Sequence, residues 1–208
     1  MSSVKLTADS SGGTVELKGP ATTASNAAKT WILPNDTGAA EQILKHSSTA
    51  GTLEWGHNLA VAYLWDQKDY DTEGGSFSSG AFRTRDLNQE VDPHGIVSLS
   101  SNAFTLQAGT YRIQWNSPAY KVNNHVSDLY NNTDSSIVLT GSPEYANSGE
   151  GVTNQSFGQG RFTITGAKEF IIRHRCSSTF ANLGFGAAHN IINDDPNIFC
   201  QVVIQKEI

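Results

Sequence analysis

From Gly109 to Asn131 the side chains alternate strictly enough to constrain everything packed around them. In GTYRIQWN, Gly109, Tyr111, Ile113 and Trp115 fall on one face, and Thr110, Arg112, Gln114 and Asn116 on the other. That period of two belongs to a strand with one dry and one wet side. A second run follows after a Ser-Pro break, with His125, Ser127 and Leu129 on one side and Val122, Val126 and Tyr130 on the other. Neither of its faces is plainly wet, so both are expected to be covered.

Further short runs complete a β pattern at residues 59–65, 76–85, 96–99, 104–107, 110–116, 122–130, 136–140, 156–165, 169–177 and 198–205. Turns rich in Gly, Asn, Asp and Ser separate them, and no stretch shows a helical period. So many short strands predict an antiparallel sandwich of jelly-roll type. RFTITGAKEFIIRHRC reads as the clearest hairpin, with Phe162 and Ile164 before Gly166-Ala167, and Phe170 and Ile172 continuing the inward set. Only 16% of the 208 residues are charged, and Gly (19 residues), Ser, Thr and Asn are abundant, which argues against a helical bundle.

Residues 1–56 read differently from 57–208. Val4–Leu6 and Val15–Leu17 flank a Ser-Gly-Gly turn, and short apolar pieces follow at Trp31–Leu33, Ile43–Leu44 and Leu53–Trp55. Each is too short to bury itself, so this segment needs copies of itself or a neighbouring domain.

The net charge of −6 offers no footprint for nucleic acid, and no run of roughly 18 apolar residues predicts a membrane-spanning helix. The amino terminus lacks the apolar core of a secretory signal, so synthesis in a cytoplasm is expected. Cys176 and Cys200 then read as buried thiols, a disulfide between neighbouring strands being the alternative; two cysteines alone make no zinc site.

GPATTASNAAKTWILPNDTGAAEQILKHSSTAGTLEWG is similar to a stalk segment of bacteriophage tail-fibre-like proteins, through Leu33, Pro34, Asp36, Gly38, Gln42, Leu44, Lys45, Leu53 and Trp55. FRTRDLN, FTLQAGTYRI, SPAYKVNNHVSDLYN, EYANSGEGV, QSFGQGRFTI, HRC and GFG, in that order, resemble the distal domain of the same proteins, a C1q/TNF-like trimeric jelly roll. His94 and the NIINDDPNIFC segment depart from the pattern. The resemblance implies a short β-rich trimeric stalk followed by a C1q/TNF-like head. It implies a homotrimer in a virion assembled in the host cytoplasm, joined to another virion protein of tail or capsid by its amino-terminal segment. Neighbouring subunits would then cover the second face of two-sided strands. The expected role is a fibre displayed for binding a host surface glycan or protein. A capsid decoration or head fibre docked at threefold positions is the alternative, and a polysaccharide depolymerase comes behind.

No catalytic constellation stands out. The acidic stretches 66–73 and 194–195 could supply an acid–base pair, but they read as solvated turn charges, and likewise Asp71, Glu73, Asp128, Asp194 and Asp195 read as acidic residues without calcium. Gly-x-Ser-x-Gly, phosphate-loop and His-Glu-x-x-His motifs are absent, and no cofactor is expected. Tyr111, Ile113, Trp115, His125, Phe162, Ile164, Phe170, Ile172 and His174 are assigned to the core or trimer interface; three copies of His125 meeting on an axis is the less favoured metal reading. Candidate receptor-binding positions are loop aromatics and amides: Tyr145, Asn147, Phe180, Asn182, Asn190 and Asn193.

Overall fold

The computed structural model describes residues 4–7, 14–17, 31–39, 42–47, 49–56, 59–191 and 194–207. The chain divides into two compact units, Met1–His57 and Asn58–Ile208.

The first unit contains two antiparallel pairs, β1 (Val4–Thr7) with β2 (Thr14–Leu17), and β3 (Ile43–His46) with β4 (Leu53–Gly56). Trp55 organises the second pair. Its Nε1 donates to Asp36 O at 3.1 Å, and Gly38 sits so close to the indole that a Cβ there would lie 2.6 Å from it. The Leu-Pro-x-Asp-x-Gly turn thus wraps one aromatic ring. Little else is dry: Trp31, Ile32, Leu33, Ile43 and Leu44 are 54, 59, 65, 43 and 43% exposed. Those side chains form an apolar surface that a single copy leaves in water.

The second unit is a sandwich of β5 (Ala60–Lys68), β6 (Arg83–Thr84), β7 (Gln89–Val91), β8 (Val97–Ser100), β9 (Ala103–Leu106), β10 (Gly109–Tyr120), β11 (Asn123–Asn131), β12 (Ser136–Thr140), β13 (Glu144–Ala146), β14 (Thr153–Ile164), β15 (Lys168–Cys176) and β16 (Asn197–Glu207). One sheet has the order β14-β10-β16-β5-β7 and the other β12-β11-β15-β9-β8, with every ladder antiparallel. Long strands that follow one another in the chain mostly lie in opposite sheets, which makes this an antiparallel jelly roll.

That connectivity corrects three readings of the sequence. Strands β14 and β15 are not a hairpin; they belong to different sheets, and Phe162 meets Phe170 across the interior at 5.4 Å between ring centroids. Two inward-facing sets look the same in sequence whether their strands pair or face one another. Residues 76–85 form a loop with only β6 extended at its end. Strand β10 does not break at Ser117-Pro118 but runs to Tyr120, pairing with β14 throughout while its ladder to β16 ends at Asn116. Pro118 lacks an N–H on the side where that neighbour has already gone, and Tyr120, two residues on, sends its amide to Gly184 O instead.

The two-sided strand β11 is covered by its own chain. Inside, Ser127 Oγ accepts Trp115 Nε1 at 2.8 Å. Outside, Arg173 forms two hydrogen bonds to Asp128, at 2.9 and 2.7 Å, while its guanidinium lies 3.5 Å from the Tyr130 ring centroid and 4.4 Å from that of Phe82. Asp128 is 2% exposed as a result and is no loop carboxylate. Arg173 and Phe82 of the same chain thus cover the Asp128 and Tyr130 stretch of this face, while Asn124 stays exposed.

The outer face of the first sheet is different. Its register places Phe157, Asn116, Gln201 and Trp65 in one row, and Gln159, Gln114, Val203, Tyr63 and Val91 in the next. Neither row holds a charge, and Tyr63, Val91 and Phe157 are about half exposed. The charges lie nearer the chain terminus, where Glu207 accepts from Arg112 and Arg161 at 2.7–3.0 Å.

Candidate functional site

The ladders orient the head. Strands β5 and β10 run antiparallel to β16, so Leu59, Gly109 and Glu207 share one end of the sandwich. The loops 69–82, 121–122, 147–152 and the described residues 177–191 and 194–196 all lie at the other, the tip. Five sequence-predicted receptor positions belong to this end: Tyr145 on β13 and Asn147, Phe180, Asn182 and Asn190 on loops. Asn193 lies outside the described residues.

The tip loops are zipped together. Phe77 and Phe180 exchange backbone hydrogen bonds at 2.9 and 3.0 Å, Gly75 N donates to Asn182 O, Phe185 N to Gly75 O, and Gly74 N to Gly186 O. At Gly184 a Cβ would fall 2.5 Å from both Phe180 O and the Phe77 Cβ, so only glycine lets the two segments approach. Phe77, Ala119, Val122, Ala146, Cys176 and Phe185 bury beneath them as a second small core. Phe180 packs edge-on to Tyr120 at 5.4 Å, and Asn190 O accepts the Tyr70 hydroxyl at 2.9 Å. Both are therefore part of the tip's own framework.

Between this small core and the main one lies a polar layer. Along the inner face of β5, Ala60, Ala62 and Leu64 are followed in phase by Asp66, 1% exposed. Ser117 and Ser156 pair across β10 and β14, and Cys200 Sγ lies 3.6 Å from Ser117 Oγ. On the facing sheet Ser127 pairs with His174, and His125 with Cys176. His125 Nδ1 and His174 Nε2 are 2.9 Å apart, so one ring donates to the other. His125 thus faces the interior of its own sandwich and not an axis, which removes the geometry that a three-histidine metal site requires.

Arg85, fully buried, anchors the layer to the tip. Its Nη1 and Nη2 donate to Pro118 O and Phe185 O, each at 3.0 Å, and its guanidinium lies 4.1 Å from the Phe185 ring centroid. Lys68 Nζ touches Asp66 Oδ1 at 3.1 Å without hydrogen-bond alignment and bonds Asp86 at 2.8 Å. Burial pushes the Asp66 carboxyl up despite Lys68 and Arg85, so this residue of the acidic stretch is not a solvated turn charge. Burial, with the Arg85 charge nearby, also holds His174 well below the usual histidine range and His125 down to about 4, with Glu144 opposing at His125. Both cysteines are free and buried, with Cys176 pushed up to about 11 by burial and Cys200 raised as well. Reactive thiolates need the opposite environment.

The other assigned core positions separate by depth. Tyr111, Ile113, Trp115, Phe170 and Ile172 are buried in the main core, and Phe162 and Ile164 pack against it half-buried. Sequence reading missed Asp66 and Arg85. The inward phase of β5 carries the signal for Asp66; nothing local carries it for Arg85, which follows a loop.

On the outer face of the second sheet, near the tip, a depression of about 880 Å³ is floored by β11 and β15 and edged by β13 and the Ser79-Gly80 turn. Tyr145 lies in it, and so do Asn124, Glu144 and Arg175, which sequence reading did not single out.

No family model matches the sequence, and no curated protein matches it. Among solved structures, murine APRIL at pH 5.0 is similar at a TM-score of 0.47 and 10% identity, covering 71% of this chain and 98% of that one. The pH 8.5 structure of murine APRIL gives 0.45 and 9% over the same shares. The globular domain of zebrafish complement 1qA protein gives 0.36 and 12%, covering 71% of this chain and 94% of that one. The jelly-roll assignment stands on the strand order itself.

Proposed function

We propose that this chain is a homotrimeric bacteriophage virion fibre whose jelly-roll head is displayed for binding a host surface. The phage setting is supported by the sequence resemblance of the stalk and distal segments to tail-fibre-like proteins. Display is supported by the observation that carries the proposal: β5 enters the sandwich at one end, and the zipped loops project from the other. Attachment needs a rigid presented surface, and rigid loops lose little freedom on binding.

Self-association is supported by two surfaces. The exposed apolar side chains of the first unit, Trp31 to Leu33 and Ile43-Leu44, suit burial against second and third copies. So does the uncharged outer face of the first sheet, because interface centres are depleted of charge and enriched in aromatics. Three copies would also multiply a weak contact at the tip by avidity.

Sedimentation equilibrium tests the assembly. The full chain is expected to sediment as a trimer at micromolar concentration, and Tyr63→Asp with Phe157→Asp is expected to yield folded monomers. A folded monomer from the unaltered chain would overturn the trimer. Immunogold labelling of virions tests the setting: label at tail tips supports the fibre, label on capsids supports a decoration protein, and unlabelled virions would overturn both.

A further inference from the structure

We propose that the depression on the outer face of the second sheet is a saccharide-binding groove selective for a carboxylated sugar, a site that takes its biological setting from the host-attachment reading but its chemistry from three side chains, Arg175, Tyr145 and Asn124. Register sets them together. Tyr145 lies opposite Asn124, and Arg175 lies opposite Val126, all on outward phases of β13, β11 and β15. Glu144 and the Ser79-Gly80 turn complete the rim.

Two arginines two residues apart on β15 show what is special here. Arg173 is neutralised by Asp128 and stacked between Phe82 and Tyr130. Arg175 is exposed and makes no ion pair among the described residues; its guanidinium lies only 5.8 Å from the Phe82 ring centroid. In a chain of net charge −6, an unpaired guanidinium in a concave surface is matched to an incoming carboxylate, which it can hold with two parallel hydrogen bonds.

The remaining groups suit a sugar. Tyr145, 52% exposed, offers an aromatic face and an unengaged hydroxyl to the apolar side of a pyranose ring. The exposed Asn124 amide supplies one donor group and one acceptor for ring hydroxyls. Glu144 pairs with the inward-facing His125 and accepts Asn154 Nδ2 at 3.0 Å, so its carboxylate is turned away from Arg175. The walls are already set. At the Ser79-Gly80 edge, Ser79 N donates to Thr179 Oγ1 at 2.9 Å and the two hydroxyls lie 3.0 Å apart.

Calorimetric titration of the full chain with trigalacturonate and with its methyl ester tests the groove. The acid is expected to bind roughly tenfold or more tightly than the ester, and Arg175→Gln to erase that difference. Tyr145→Ala is expected to weaken both by about tenfold. Equal binding of acid and ester, no binding of either, or a persistent acid preference in Arg175→Gln would overturn the site. Adsorption of labelled chain to host cells separates this from the attachment reading. An unaltered chain that adsorbs and an Arg175→Gln chain that does not supports both. Equal adsorption of the two overturns the groove as the attachment point while attachment stands. Sugar binding without adsorption of the unaltered chain leaves the groove standing and overturns attachment.

Discussion

The two halves of the sandwich interior are held by different physics. Toward the Leu59 end, Phe104, Tyr111, Ile113, Leu129, Phe170, Ile172, Val202 and Ile204 pack as a dry core in which each side chain needs only volume and shape. Toward the tip, the same strands turn inward Asp66, Ser117, Ser127, Ser156, His125, His174 and Cys200, with Arg85 between the sheets. The dry half draws its stability from burying apolar area and tolerates volume-conserving changes. The polar layer depends on hydrogen bonds whose loss leaves a partner stranded, which makes it a specifying element and a fragile one. Arg85 tethers the tip loops to this layer by donating to Phe185 O while also binding Pro118 O on β10.

Perturbing each half should therefore give distinct signatures. The largest effect is expected from Ile113→Asp, which places an unpaired carboxylate in the dry half at a cost of roughly 4 kcal/mol or more. Urea titration should find no cooperative folded head, and a stable, soluble Ile113→Asp protein would contradict the inward assignment. Arg85→Met is expected to cost about 3 kcal/mol, because two buried carbonyls lose their donors. Here hydrogen exchange should sharpen the contrast: amides of Gly74 to Phe77 and Phe180 to Phe185 open, while those of β9 and β10 around Tyr111 stay protected. Uniform loss of protection would mean the two halves are one cooperative unit.

Acid is expected to attack the polar half next. A histidine held below its unfolded value binds its proton more readily in the unfolded chain. Stability is then full above about pH 6.5 and falls as pH drops toward about 4, by on the order of 3 kcal/mol for His125 alone. His174 on β15 adds in the same direction, with Arg85 opposing protonation of both. Glu144 eases it at His125, and Asp66, raised by burial, works the other way over its own range. Urea midpoints measured across this window should decline, and in His125→Gln the decline should be shallower; a flat profile would show that the pair titrates normally. Glu207, held down to about 2 by Arg161 and Arg112 on the exposed face, should matter only below that window. The smallest effect is expected from Ser127→Ala, at about 1 kcal/mol, because Trp115 Nε1 loses its acceptor. A change indistinguishable from zero would indicate that another group takes that donor.

Much of the dry half was legible before any coordinates. Period-two alternation placed Tyr111, Ile113, Trp115, Phe170 and Ile172 inward because each strand's phase is set locally by backbone geometry. The polar half was legible only in part. His174 and His125 could be phased inward, but alternation says nothing of which sheet a strand joins, so their contact across β11 and β15 could not be read from spacing. The same limit turned β14 and β15 into an apparent hairpin. The groove was less legible still: Tyr145 drew notice as an aromatic in a turn-rich segment, whereas Arg175 looks in sequence like its neighbour Arg173. Only Asp128, 45 residues upstream of Arg173, tells them apart.

By itself, then, the sequence determined the class of structure: strands of a given phase, turns between them, and an amino-terminal segment too poor in apolar residues to bury itself. Those properties arise within a few residues, from alternation, turn chemistry and composition. The tertiary structure alone decided that Arg173 of the same chain covers Asp128 and Tyr130 of β11, that Asp66 and Arg85 share a buried layer, and that Arg175 makes no ion pair among the described residues. Each of these depends on groups brought together from distant strands, where burial changes the cost of a charge and a single partner decides whether that charge is spent inside the fold or left for a ligand.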